Sequence, residues 1–600
     1  MTVENSLSLP AMTAAPGDLP RIGAELDALI DRVRRAEHDH AAELAACAPA
    51  MRGSARNLVH YLALRQVDLR PLQAALRALG LSSLGRLEAC VLRTLLTVRN
   101  AVRGLAGEPI APIGDAVPGY AAGDAALAAR REALFGPPRD GRDASIMVTM
   151  PSSAAADPGL FRALAEAGMD VARINSAHDG PDAWRAMLEH ARTVGRADGR
   201  RLRVSIDLAG PKLRTGPPAT TIQVQKLKPR RGPRGEVVAP RRVGADELPL
   251  PAQLRGALQS GDRLALHDCR GRWRVAEVVA AGEVLALLLA HTVYLESGAP
   301  VRLHRNGRLV AEGRLGTLPP VEQPLRVERS TRVRVLRRSE PDPAKPAAIG
   351  CTLPRALDHV AVGQQVWFDD GHIGGRVSAV DDAGIDVDID HVKPGGAWLR
   401  AGKGINLPDT RIDLPALSAE DHAVLAGFAT AVDLVGLSFV QSPDDVLALH
   451  AALATAGATD AAVMLKIETR RAFEALPRIL LAAMRRGPFA VMVARGDLAV
   501  EVGFERLAEV QEEILWLCEA AHAPVVWATQ VLEDMAKNGL PSRAEVTDAA
   551  MAERAECVML NKGPFIVETV DLLDGVLRRM QAHQHKKSAM LRRLAVSDYD

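Results

Sequence analysis

Two short strings carry the most chemistry in this chain, Lys466-Ile467-Glu468 and Ala494-Arg495-Gly496-Asp497-Leu498. Each ends an apolar run, Ala462-Val463-Met464-Leu465 before the first and Phe489-Ala490-Val491-Met492-Val493 before the second. Runs of that length and composition read as buried parallel strands. A lysine and two carboxylates at the ends of buried strands are costly to leave unpaired, so they predict a ligand or metal site. Positions i and i+2 of a strand share a face. That rule sets Lys466 beside Glu468, and Arg173 beside Asn175 in Val171-Ala172-Arg173-Ile174-Asn175. Where strand ends converge, these side chains would meet Asp207, Asp497 and Thr529. Two carboxylates with room for water make a hard oxygen site suited to Mg²⁺, and arginine and lysine beside them suit a phosphorylated substrate. The constellation fits phosphoryl transfer, where catalysis is mostly positioning and charge stabilisation. A set of structural salt bridges closing a barrel top is the alternative reading.

Convergence requires a closed set of strands, and the alternation along the chain supplies one. Strand-like runs at 145–150, 171–175 and 203–208 are separated by helix-like segments, and the pattern resumes at 432–440, 462–468, 490–497, 524–529 and 557–561. Eight runs with helices between them match a (β/α)8 TIM barrel better than a six-stranded open sheet. The stretch between the third and fourth runs is too long for a loop and contains an apparent duplication. Leu250-Pro251-Ala252-Gln253-Leu254, Ser260-Gly261-Asp262 and Leu266-His267-Asp268 are echoed by Leu353-Pro354-Arg355-Ala356-Leu357, Val362-Gly363-Gln364 and Phe368-Asp369-Asp370. Before the barrel, Ile22, Leu26, Leu29, Ile30 and Val33 recur at helical spacing, residues 57–79 do likewise, and 80–84 reads as a helix stop followed by a capped start. The expected organisation is α/β with an N-terminal all-α domain and an inserted β-rich lid. Its parts are a disordered N-terminus at 1–20, a helical domain at 21–106, a linker at 107–140, a first barrel part at 141–216, an insertion of two related units at 217–402, a second barrel part at 403–580 and a tail at 581–600.

Composition narrows the function class. The chain of 600 residues has 48% hydrophobic and 24% charged residues and a formal charge of +1, which gives no reason to expect nucleic acid or an acidic membrane as partner. No apolar stretch reaches the roughly 18 residues of a membrane span, and the first twenty residues lack the pattern of a signal peptide. Six scattered cysteines without CxxC spacing suggest reduced thiols in a cytoplasmic protein.

Arg173-Ile174-Asn175, Asp207 with Gly210-Pro211, Asp369-Asp370-Gly371, Lys403-Gly404-Ile405-Asn406-Leu407-Pro408, Lys466-Ile467-Glu468, Ala494-Arg495-Gly496-Asp497, Ala528-Thr529-Gln530 and Ser542-Arg543-Ala544-Glu545 resemble, in order, the motifs of the pyruvate kinase family. The resemblance implies transfer of phosphate from phosphoenolpyruvate to ADP, giving pyruvate and ATP in glycolysis. It implies Mg²⁺, with Mn²⁺ as a substitute, held by Glu468 and Asp497. Arg173 would grip the transferring phosphate, and Lys466 would stabilise charge on it and on the enolate oxygen. Thr529 would lie near the substrate carboxylate and the protonation step, and Gly496 would let a backbone amide approach substrate. Arg214, His178 and Lys403 would face the nucleotide. The alternatives are a Mg²⁺-dependent barrel lyase acting on a pyruvate-like acid, and a non-catalytic regulatory homologue. A homo-oligomeric state is left open.

Several positions depart from the family. Its potassium site retains Asn175 and Asp207, but the Ser position is Ala177, the carbonyl position is Leu208, and Lys212 stands where potassium-dependent members carry Glu. An ammonium there implies that K⁺ is not required. The loop after the first strand, Thr149-Met150-Pro151-Ser152-Ser153, is shifted, a common arginine is Gln441, and Asn561-Lys562-Gly563-Pro564 replaces Ser-Gly-Glu-Thr. The family's C-terminal regulatory domain, with its sugar-phosphate pocket, is also expected to be missing.

Overall fold

The computed structural model describes residues 18–194, 199, 201–218, 221–222, 224–232, 236–281, 284–319, 321–322, 324–337, 347–586 and 588–589. It divides into two compact units, 1–212 with 413–600, and 213–412. The first unit is built on a closed barrel of eight parallel strands: β1 Ser145–Thr149, β2 Val171–Asn175, β3 Arg203–Asp207, β4 Leu434–Leu437, β5 Ala462–Ile467, β6 Phe489–Ala494, β7 Val525–Ala528 and β8 Cys557–Leu560. All eight expected runs form strands. They read as unbroken apolar runs because both faces are covered, by helices outside and by packed side chains within. Pairing of β1 with β8, Met147 opposite Met559, closes the ring.

The N-terminal helices expected at 21–106 are present and fall within the same compact unit as the barrel. Among them, α1 (Leu19–Asp39) buries Ile22, Leu26, Leu29, Ile30 and Val33, the stripe read from its spacing. It packs with α2 (Arg52–Leu64) and α3 (Val91–Leu105) in a core continuous with that of the barrel. The reason is polar as well as apolar. Asn57 donates to the carbonyls of Glu88 (2.6 Å) and Ala520 (2.9 Å) and accepts from Val91 N (2.9 Å), tying α2 and α3 to the end of the helix that precedes β7, Leu507–Ala520. Gly80 does end a helix, with φ +71°, but the next helix starts only at Val91. Helix α1 begins at Leu19, and most of the segment 1–20, like most of the tail 581–600, lies outside the described residues.

The expected linker at 107–140 contains a further helix, α4 (Tyr120–Phe135). Its last two residues, Leu134 and Phe135, pack inside the ring against Met147, Val171, Leu434, Met464, Met492, Val526 and Met559. These residues belong to the inward layer of the strands, so α4 plugs the barrel from within the chain's own N-terminal segment. Its alanine-rich sequence concealed this, because only two of its buried residues are large apolar ones.

The inserted unit, 213–412, holds a six-stranded and a seven-stranded sheet. The duplicated motifs adopt related local structures. A helical turn (Ala252–Ala257, Pro354–Leu357) leads to a strand (Arg263–Asp268, Gln365–Phe368) and a hairpin. Each has the same pair of backbone bonds: Gly261 N to Val278 O with Val278 N to Asp262 O, and Gly363 N to Val377 O with Val377 N to Gln364 O. The incoming and outgoing chains of this unit run side by side, joined by Thr215 N to Lys403 O, Gly402 N to Thr215 O and Ile405 N to Leu213 O. Among the described residues, no helix is long and apolar enough to cross a membrane.

Phe135→Ala should cost about 3–5 kcal/mol, as expected for emptying a fully buried aromatic position. Urea unfolding would read this as a lowered midpoint; a loss under about 1 kcal/mol would show that α4 does not plug the ring.

Candidate active site

The carboxyl ends of β2, β3, β4 and β5 bring a buried charge cluster together. Asp207, fully buried at the end of β3, accepts on Oδ2 from Arg173 Nε (2.9 Å) and its terminal nitrogen (2.8 Å). Lys466 Nζ lies 3.6 Å from the same oxygen, 3.0 Å from Glu468 Oε1 and 2.8 Å from Ser438 Oγ. Glu468 Oε2 accepts from the backbone N–H of Phe439 (2.8 Å), and Arg173 also donates to Thr149 Oγ1 (2.8 Å). Burial alone would raise the Asp207 pKa, but the Arg173 guanidinium and the Lys466 ammonium outweigh it and hold the carboxyl below its ordinary value. Gly436 makes room for the group: a Cβ there would stand 2.4 Å from Asp207 Oδ1.

A second pair lies on the same unit. Lys212 Nζ reaches both oxygens of Asp497, at 3.2 and 3.0 Å, with its ammonium 5.5 Å from the Phe439 ring centroid. The sequence reading set Lys212 toward the potassium position, whereas its ion pair is with the carboxylate assigned to metal. That potassium set is largely spent internally. Asn175 Oδ1 accepts from Ala177 N (3.1 Å), the Leu208 carbonyl accepts from Ser438 Oγ (2.7 Å), and only Asp207 Oδ1 is buried without a hydrogen-bond partner.

Thr529 and Gln530 follow β7 in left-handed backbone, with φ +71° and +58°, a strained conformation for a β-branched residue. Arg495 holds it there. Its Nε donates to Ala528 O (2.8 Å), a terminal nitrogen reaches Thr529 O (2.5 Å), and the guanidinium pairs with Asp548 and lies 4.9 Å from the Trp527 ring centroid. Gly496 faces the same loop, where a Cβ would come within 2.9 Å of Thr529 Cγ2. His178 follows β2, its backbone N–H donating to Asn175 O (3.1 Å). Arg214 and Lys403 belong to the inserted unit on its paired chain ends, with Lys403 Nζ 2.7 Å from Asp369 Oδ1. Sequence reasoning assigned no role to Ser438, Gly436 or Asp548. The i, i+2 spacing of Gly436 and Ser438 across a strand end was the available signal.

A family model described as pyruvate kinase, barrel domain, matches residues 311–570. Over that span the chain is similar to the pyruvate kinase family. It is 36% identical over 230 residues to pyruvate kinase PKLR of Rattus norvegicus, covering 37% of this chain and 38% of that protein. It is 34% identical over 249 residues to the pyruvate kinase of Geobacillus stearothermophilus (40% and 41%) and 33% identical over 221 residues to pyruvate kinase 2 of Saccharomyces cerevisiae (36% and 42%). The matches thus span less than half the length of these relatives. The family-model match takes in β4 to β8 with Lys466, Glu468, Asp497 and Thr529, and leaves out β1 to β3 with Arg173, Asp207 and Lys212.

Asp207→Asn should cost about 3–5 kcal/mol at neutral pH, because it leaves buried Arg173 and Lys466 without their shared counter-charge. A lowered carboxyl pKa contributes stability that is present above the unfolded value, about 3.9, and is lost as pH falls toward the folded one. The gap between wild type and variant should therefore narrow below about pH 4, by up to about 1.4 kcal/mol per pH unit. Urea midpoints across the acid range check this, and a gap constant with pH would contradict it.

Proposed function

We propose that this protein transfers the phosphoryl group of phosphoenolpyruvate to ADP, forming ATP and pyruvate, as a glycolytic enzyme of the cytoplasm. The observation that carries the reading is Lys466, a buried ammonium held between Glu468 and Asp207 with Arg173 on the same carboxylate. In this reading the P–O bond to the enol oxygen breaks, a bond to a terminal ADP oxygen forms, and the enolate carbon takes a proton to give pyruvate. Arg173 and Lys466 carry the charge that builds on the transferring group and the enolate oxygen, a task for donors fixed in advance. Thr529, set by the strained loop, orients the substrate carboxylate near the protonation step, beside the Gly496 backbone. Arg214, His178 and Lys403 contact the nucleotide.

Glu468 and Asp497 fit a magnesium ion. No cluster of three or more metal-ligating side chains occurs among the described residues, and Mg²⁺ is commonly held by one or two carboxylates with substrate oxygens and water filling the rest. Both are hard oxygen donors at the mouth of the barrel, each held in place by an ammonium. When bound, Mg²⁺ or Mn²⁺ would supply neutralising charge to the substrate phosphate. The potassium set fits its ion poorly, for the reasons of geometry given above, and Lys212 provides a fixed ammonium at the same mouth. The enzyme therefore works without K⁺.

The deciding assay is ADP-dependent pyruvate formation from phosphoenolpyruvate with Mg²⁺. Lys466→Ala should lower kcat by at least about a hundredfold, the usual cost of one preformed charge-stabilising group; an unaffected variant refutes its role, and ligand binding without turnover would favour a regulatory homologue. Exchanging Na⁺ for K⁺ should leave the rate essentially unchanged, and a severalfold rise would refute potassium independence.

A further inference from the structure

A cavity of about 440 Å³ lies among α1, α2, α3 and α4. Its walls carry four arginines, Arg34, Arg56, Arg93 and Arg130, against one carboxylate, Glu37. That carboxylate is already committed, to Arg56 Nε at 2.9 Å and His60 Nε2 at 3.0 Å. Arg130 is the telling member. It is 9% exposed, and its partners are all neutral: the carbonyls of Ala50 (3.4 Å), Ala521 (3.1 Å) and His522 (2.8 Å) and the hydroxyl of Ser54 (2.7 Å). Burial pushes its pKa down to about 10, with no carboxylate to oppose the shift. A buried guanidinium without counter-charge is expensive, and here it borders a void lined by three further arginines and a single carboxylate, Glu37. The remaining wall is largely apolar, including Val91, Leu92 and Val117.

We propose that this cavity is a binding site for a small organic phosphate monoester, its dianionic head on the arginines and an apolar body against α3. Arginine suits phosphate because its planar fork donates two parallel bonds, and the volume falls in the range of small-molecule pockets. The site is built from the N-terminal helices and the loop before β7, so it is separate from the strand-end cluster at the mouth of the barrel. It does not depend on the reaction proposed above.

Phenyl phosphate is the probe, with inorganic phosphate, benzoate and phenol as comparisons, titrated calorimetrically into the full chain. Phenyl phosphate should bind the wild type, more tightly than inorganic phosphate or benzoate, and phenol should not bind. The double variant Arg34→Ala/Arg56→Ala alters exposed residues and should fold. It should weaken phenyl phosphate at least about tenfold, the scale of losing charge-assisted hydrogen bonds, as should Arg130→Gln. Equal binding by wild type and the double variant would place the probe elsewhere and overturn the proposal. So would no binding to the wild type, or benzoate binding as well as phenyl phosphate.

Discussion

The mouth of the barrel is organised around a single carboxylate. Asp207 sits at the end of β3 with no access to water, and one of its oxygens serves both Arg173 from β2 and Lys466 from β5. Each of these cations would be costly to bury alone; sharing one anion fixes their separation and orientation together. Ser438, Phe439 and Gly436 from the β4 segment complete the arrangement: the Ser438 hydroxyl accepts from Lys466, the Phe439 N–H donates to Glu468, and Gly436 makes space. The arrangement is preorganised in the sense that matters for catalysis, since its donors need not reorient as charge develops. A rigid closed ring is what allows side chains from four different strands to keep these distances.

Much of this was legible in the sequence, and for identifiable reasons. The eight strands announced themselves as short apolar runs because each is buried on both faces, and the α1 stripe because one face meets the core and the other meets water. Lys466 with Glu468 and Arg173 with Asn175 followed from strand periodicity alone. Where local pattern is not the determinant, the reading failed. Helix α4 looked like a linker because its large apolar anchors, Leu134 and Phe135, sit at one end and two of its other buried residues are arginines, Arg130 and Arg131. The spacing also could not show that the N-terminal helices join the barrel's compact unit, through bonds that Asn57, Arg130 and Ser54 make to residues hundreds of positions away. Lys212 was placed by analogy with a motif, and its partner Asp497 comes from the helical turn after β6, which no spacing rule connects to it.

The left-handed run at Thr529 and Gln530 shows how an exposed-looking motif residue can serve structure. Arg495 touches no expected ligand position. It instead secures two carbonyls and one carboxylate around a backbone that would otherwise relax. Loss of such a brace would be felt as misplacement of Thr529, not as loss of a contact with substrate. Gly496 is required by the same crowding.

The inserted unit is joined to the rest of the chain by two segments that are hydrogen-bonded to each other, 213–215 alongside 402–405. Chain ends that already touch impose little closure entropy on whatever lies between them. In evolutionary terms this is a socket: sequence can be gained or duplicated beyond it while the host's chain path remains the same. A second β unit could be accommodated at that point without moving any of the barrel strands, and the repeated hairpin geometry inside the insertion is the kind of growth such a socket permits.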